Sequence, residues 1–173
     1  YDLNIKTFKD GIPSIISDAT TESMASGFKL AGCKVYNNII QSIPPDNASH
    51  IIEFNAKIED VCNNFNVGTH EFVVTQSGTY IITLHSFCNT ATSITKNQKE
   101  FKIKQNGNII SYYKAGTDIS SYFTKVQTVR AILEEGDIIT FWVLLTSAYP
   151  LPDQLELSSN SYKHHASITQ ISK

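Results

Sequence analysis

Apolar and polar positions alternate with a period of two along most of this chain. That pattern marks half-buried β-strands. Cys33-Lys34-Val35-Tyr36, Ile51-Ile52-Glu53-Phe54 and Glu71-Phe72-Val73-Val74 are short examples. The run over 79–88 is longer. Tyr80, Ile82, Leu84 and Ser86 share one of its faces, and Ile81, Thr83, His85 and Phe87 share the other. Phe101, Ile103 and Gln105 alternate with Lys102 and Lys104, which predicts a strand with one wet face. Further strands are predicted over 109–113, 122–133 and 161–171. Turn chemistry separates them. Asn106-Gly107 lies between alternating segments and predicts a type I′ hairpin, because both central residues of that turn need positive φ. Pro44-Pro45 prevents ladder pairing and predicts a loop. A short helix is expected around 20–28, opened by Thr20-Thr21-Glu22, and no long helix anywhere. Strands at spacings of about ten residues predict an all-β sandwich or jelly roll.

One segment departs from simple alternation. After the turn at Gly136-Asp137 the chain reads Ile138-Ile139-Thr140-Phe141-Trp142-Val143-Leu144-Leu145. Ile138, Thr140, Trp142 and Leu144 fall on one face, and Ile139, Phe141, Val143 and Leu145 on the other. An antiparallel sheet commonly leaves one face wet. A strand apolar on both faces therefore asks for a second burial surface, and a neighbouring subunit is the simplest.

The 173 residues suit a single domain with a sizeable core, residues 31–173, preceded by an arm or stalk end over 1–30. Net charge is −2, so neither nucleic acid nor an anionic membrane is expected as a partner. No apolar stretch is long enough to cross a bilayer. Tyr1 in first place is read as the start of a processed or excised fragment. An Asn- and Ile-rich, Ala-poor composition points to an AT-rich bacterial, phage or large-virus genome. Cys33, Cys62 and Cys88 lack metal-type spacing and read as buried free thiols, with one disulfide plus a spare as the alternative.

The candidate chemistry is thin. His164 and His165 are adjacent, so on a strand they face opposite ways and cannot chelate one ion. His85 with Ser86, or with Cys88, fails as a catalytic pair for the same reason, and no Gly-x-Ser-x-Gly turn exists. Glu134-Glu135 face apart and do not form a paired-carboxylate site. No enzyme activity is expected. Recognition is expected on exposed connections instead. Those over 89–99, 115–121 and 147–154 offer Asn89, Thr90, Thr92, Ser93, Asn97, Thr117, Asp118, Tyr149 and Asp153 as ligand-binding candidates.

Several motifs, in order, resemble the globular head of the C1q and tumour-necrosis-factor superfamily. Ser49 to Asn55 reads SHIIEFN, with Phe54 at its aromatic position; Gly68-Thr69-His70-Glu71-Phe72 and Gly78-Thr79-Tyr80 follow. Lys104-Gln105-Asn106-Gly107 is similar to the family's hairpin, Leu133-Glu134-Glu135-Gly136-Asp137 to its Gly-Asp turn, and Ala166 to Ile171 to its closing strand. The resemblance spans about residues 31–173, while residues 1–30 match nothing and 89–99 is unfamiliar. It implies a ten-stranded jelly roll that assembles as a tight homotrimer. Binding is implied, to a cell-surface protein or carbohydrate, rather than catalysis. Display outside the cell, or on a virion, phage or spore, is implied as well. Tyr80, Ile82, Phe141, Trp142 and Val143 are the trimer-interface candidates. Some members bind calcium, for which Asp118, Asp137 and Asp153 are the candidates here. No dense Asp/Asn loop of the kind calcium takes is present, so no cofactor is expected.

Overall fold

The computed structural model describes residues 30–90, 98–115, 122–146, 155–159 and 163–173. The expected arm and the short helix at 20–28 lie outside them, apart from Leu30. Among the described residues there are thirteen strands. They are β1 (Gly32–Tyr36), β2 (Gln41–Ile43), β3 (Ser49–Ile51), β4 (Ala56–Val61), β5 (Phe65–Asn66), β6 (Glu71–Val73), β7 (Gly78–Thr90), β8 (Gln98–Gln105), β9 (Asn108–Ala115), β10 (Tyr122–Leu133), β11 (Ile138–Thr146), β12 (Leu155–Leu157) and β13 (His165–Ser172). All pairings are antiparallel. One sheet runs β2-β12-β7-β13-β1-β4, with β10 on the free side of β7; the other runs β5-β6-β11-β8-β9, with β3 also on β11.

The long strands fall where alternation puts them. The short ones were harder to foresee. β2, β5 and β12 have two or three residues, too few to show a period. β4 is an edge strand with Lys57, Ile58 and Glu59 all exposed, so it has no apolar face to alternate.

The inner faces of the two sheets form the core. Phe54 meets Phe141 edge-on at 5.6 Å, and Phe72 meets Tyr80 at 6.2 Å. These are favourable aromatic geometries. The buried Tyr80 ring still satisfies its hydroxyl, which donates to the Gln76 carbonyl at 2.6 Å. Cys33 and Cys88 are buried free thiols and Cys62 is a half-buried one. Burial pushes the Cys88 thiol up to about 12, so it is an inert apolar group at neutral pH.

Two turns are locked together at one end of the sandwich. Asn106 (φ 50°) and Gly107 (φ 81°) both take the left-handed backbone of the hairpin. Asp137 accepts from Gln105 Nε2 at 2.7 Å, Asn106 Nδ2 at 2.6 Å and the Glu134 N–H at 2.9 Å. These donors, the Glu134 N–H first, hold its carboxyl below the usual carboxylate range. The carboxylate is thus committed to the turn.

His164 carries a pH dependence. Its ring is fully buried, stacks on Phe54 at 5.3 Å and accepts from the Phe87 N–H at 3.4 Å. Burial, and then the charge of His165, pull its pKa down to about 3. The unfolded histidine titrates near 6.5. Between those values only the unfolded chain binds this proton, so stability is full above about 6.5 and is lost as pH falls. The expected slope approaches about 1.4 kcal/mol per pH unit below pH 6. Urea unfolding from pH 7 to 5 measures it; His164→Phe should flatten the profile, and an unmodified chain equally stable at both ends would contradict the assignment.

Candidate functional site

The two sides of β11 are not equivalent. Ile139, Phe141, Val143 and Leu145 are fully buried in the chain's own core. On the outer side, Trp142 is half-buried without any second copy. Its indole N–H donates to Thr140 Oγ1 at 2.8 Å, and Lys104 Nζ sits 3.9 Å from the ring centroid. Trp142 pairs in register with Lys102, and Thr140 with Lys104. Long lysine stems cover apolar surface while their ammonium groups stay wet, and the cation is attracted to the ring face. β8 thus supplies the cover that the sequence pattern assigned to a neighbouring subunit.

Burial corrects four of the five interface candidates. Tyr80, Ile82, Phe141 and Val143 are all fully buried within one copy and have no surface to offer another. Trp142 lies on the opposite sheet, under Lys104.

A different face is left open. The outward positions of β7 are Ile81, Thr83, His85 and Phe87, those of β10 are Thr124, Val126, Thr128, Arg130 and Ile132, and those of β13 are His165, Ser167 and Thr169. Arg130 is the one formally charged side chain among them. Ile132 is 80% exposed, Val126 45% and Ile81 38%. Polar members pair across the strands: Thr83 and Thr128 share a hydrogen bond at 3.2 Å, and the His85 and His165 rings stack at 4.3 Å. Partial burial, and then Lys34, lower the His85 pKa, so its ring is neutral at pH 7. The result is a flat surface, poor in charge and bearing branched apolar residues. The sequence held the signal in the strand over 79–88. Its Tyr80-Ile82-Leu84 side is the more apolar and takes the core, which leaves the mixed side outward.

The recognition candidates cluster by topology. Asn89 pairs with Tyr122, Thr90 with Leu155, Lys99 with Ala115 and Gln98 with Thr146. The anchors of all three connections therefore lie at one end of the sandwich, away from the Asn106-Gly107 and Gly136-Asp137 turns. Asn89 and Thr90 are in β7 rather than in a loop, and Lys99 is a buried residue of β8. Thr92, Ser93, Asn97, Thr117, Asp118, Tyr149 and Asp153 lie outside the described residues. Gly136 (φ 92°) supplies the positive φ of its turn. Phe54 and Phe72 are fully buried core residues.

Among the described residues, the histidine pairings weighed from the sequence do not form. His85 points out while Ser86 and Cys88 point into the core. His164 points in and His165 out. Among the described residues, no group of three or more His, Cys, Asp and Glu side chains is placed to hold a metal ion.

No family model and no curated protein matches the sequence. Solved structures do. The globular domain of zebrafish complement 1qA is 13% identical, with a TM-score of 0.55 over 82% of this chain and 97% of that one. Murine APRIL is 12% identical, with a TM-score of 0.60 over 83% of this chain and all of that one. Eiger TNF from S. frugiperda is 10% identical, with a TM-score of 0.56 over 83% of this chain and 93% of that one. Identities this low establish architecture alone: the chain has the two-sheet jelly-roll fold of C1q and tumour-necrosis-factor heads.

Proposed function

We propose that this chain is a non-enzymatic, homotrimeric recognition head, displayed outside a cell or on a virion, phage or spore surface, that binds a cell-surface protein or carbohydrate. The observation that supports it most is the charge-poor outer face of β10, β7 and β13. A face with Ile132, Val126 and Ile81 in water is poorly suited to a solitary soluble domain, and exposed apolar patches commonly mark interaction sites. Three copies fit the resemblance read from the motifs and the fold shared with complement 1qA, APRIL and Eiger.

In such a trimer the ends carrying the 89–99, 115–121 and 147–154 connections would point the same way. Three weak sites then engage one surface together, which raises affinity without new contacts. Replacing residues 91–97 with a Gly-Ser linker is the test. Cell or glycan-array binding should drop while the sedimenting mass stays unchanged. Undiminished binding would remove the loop end as the recognition surface. A trimer that binds nothing would favour a decoration protein of the same fold.

A further inference from the structure

A concavity lies apart from both the open sheet face and the loop end. It sits where β4, at the edge of one sheet, comes near β5, at the edge of the other, and has a volume of about 380 Å³. Small-molecule sites span about 300–1,000 Å³. Its polar lining is mostly of one chemical kind, the carboxamides of Asn63, Asn64 and Asn66 with the Thr75 hydroxyl. Lys57 is the cation present, but Asp60 holds its ammonium group at 2.6 Å and Asn63 Oδ1 accepts from it at 3.1 Å. The site is close to neutral and does not select an anion. Val67 and Val73 add an exposed apolar flank.

Asn64 is the telling residue. It is only 3% exposed, and Thr75 Oγ1 donates to its Oδ1 at 2.9 Å. Its Nδ2 is buried with no hydrogen-bond partner. Turning the amide over moves the vacancy to the oxygen, because the Thr75 hydroxyl then serves the nitrogen instead. Buried amide groups are normally paired, and an unpaired one calls for an explanation. No water-sized group reaches that nitrogen as it stands, so a ligand pairs with it only when the Asn64 amide turns toward the cavity.

We propose that this pocket binds a neutral, hydroxyl-rich ligand, a monosaccharide unit of a glycan. The Asn66 oxygen already accepts from the Gly68 and Thr69 N–H groups, the Asn63 oxygen from Lys57 and the Asn64 oxygen from Thr75, so these carboxamides meet sugar hydroxyls chiefly as donors, through their amide nitrogens. The valine flank suits the C–H face of the sugar ring. The site deepens the recognition reading and rests on it for the kind of ligand, yet every wall belongs to one copy. It needs neither the trimer nor the loop end.

The experiment is a heteronuclear NMR titration of the full chain with free galactose, mannose, N-acetylglucosamine and N-acetylneuraminic acid, each at millimolar concentrations. One of the three neutral sugars should shift the amides of Asn63, Asn64 and Asn66 and the methyls of Val67 and Val73. Asn63→Gly keeps the left-handed backbone at that position (φ 52°) and removes the carboxamide. Asn66→Ser shortens another. Each variant, with an otherwise unchanged amide spectrum, should weaken binding about three- to tenfold. Shifts confined to other surfaces, a preference for the anionic sugar, no shifts at all, or unchanged affinity in both folded variants would overturn the proposal. A monomeric chain that still takes the sugar leaves the pocket standing and removes the trimer. A trimer without these shifts does the reverse.

Discussion

The double variant Val126→Lys with Ile132→Lys is expected to sediment as a folded monomer. Both side chains reach water in the single chain, so the substitutions cost its fold little. In the proposed trimer they lie on the face that three copies would hide. Burying a branched aliphatic side chain is worth about 1.5–3 kcal/mol. The variant forfeits that at two positions per copy and adds two ammonium groups that would have to leave water unpaired. A permanent complex does not survive such a change at micromolar concentration. Ile109→Lys is the control: Ile109, at 52% exposure, is open to a degree between Val126 and Ile132 but sits on β9 of the other sheet. It should leave the mass unchanged. A double variant that keeps the unmodified mass would place the interface elsewhere.

Gly78→Val should produce the largest loss of stability of any single change considered. A Cβ at Gly78 would collide with the Ser172 carbonyl oxygen and stand 2.7 Å from Gln170 Nε2. Gln170 is a fully buried side chain that ties three segments together. Its Oε1 accepts from the Ala31 N–H at 3.0 Å, and its Nε2 donates to the Ser77 carbonyl at 3.2 Å. Relief of the collision moves the end of β13 and breaks that network. Overpacking and a lost buried hydrogen bond each cost about 1–3 kcal/mol. The total is a large part of the roughly 5–15 kcal/mol that holds a domain folded. Gly136→Ala separates this cause from backbone strain. Gly136 has φ 92° but open space around its Cβ position, so its cost is about 1–2 kcal/mol. Thermal melts at equal protein concentration measure both. A Gly78→Val chain that melts within about 2 °C of the unmodified protein, less than 1 kcal/mol in a chain of this size, would contradict this picture.

Much of the architecture could be read from the residues because long antiparallel strands write their faces into the sequence. β10 occupies the expected 122–133, and Asn106-Gly107 turns the chain where its two positive φ values allow. Which face goes inward was harder. Alternation gives two faces without ranking them. On β7 the Tyr80 side and the Ile81 side differ by modest polarity, and the difference is settled by what the opposite sheet presents, as where Phe72 of β6 meets Tyr80. The apolar outer side of β11 misled for a related reason. Lys102 and Lys104 read as a wet face, yet their stems lie across the neighbouring strand and shelter Trp142. The carboxamide pocket was not legible at all. Asn63, Asn64 and Asn66 read as a turn, and only the meeting of β4 and β5 makes them walls of one cavity.

Sedimentation equilibrium of the unmodified 173-residue chain at micromolar concentration is the most direct test of the assembly. The account predicts a single species of three times the 19.3 kDa chain mass, with the Val126 and Ile132 face protected from solvent. A folded, monodisperse species at the mass of one chain would contradict it.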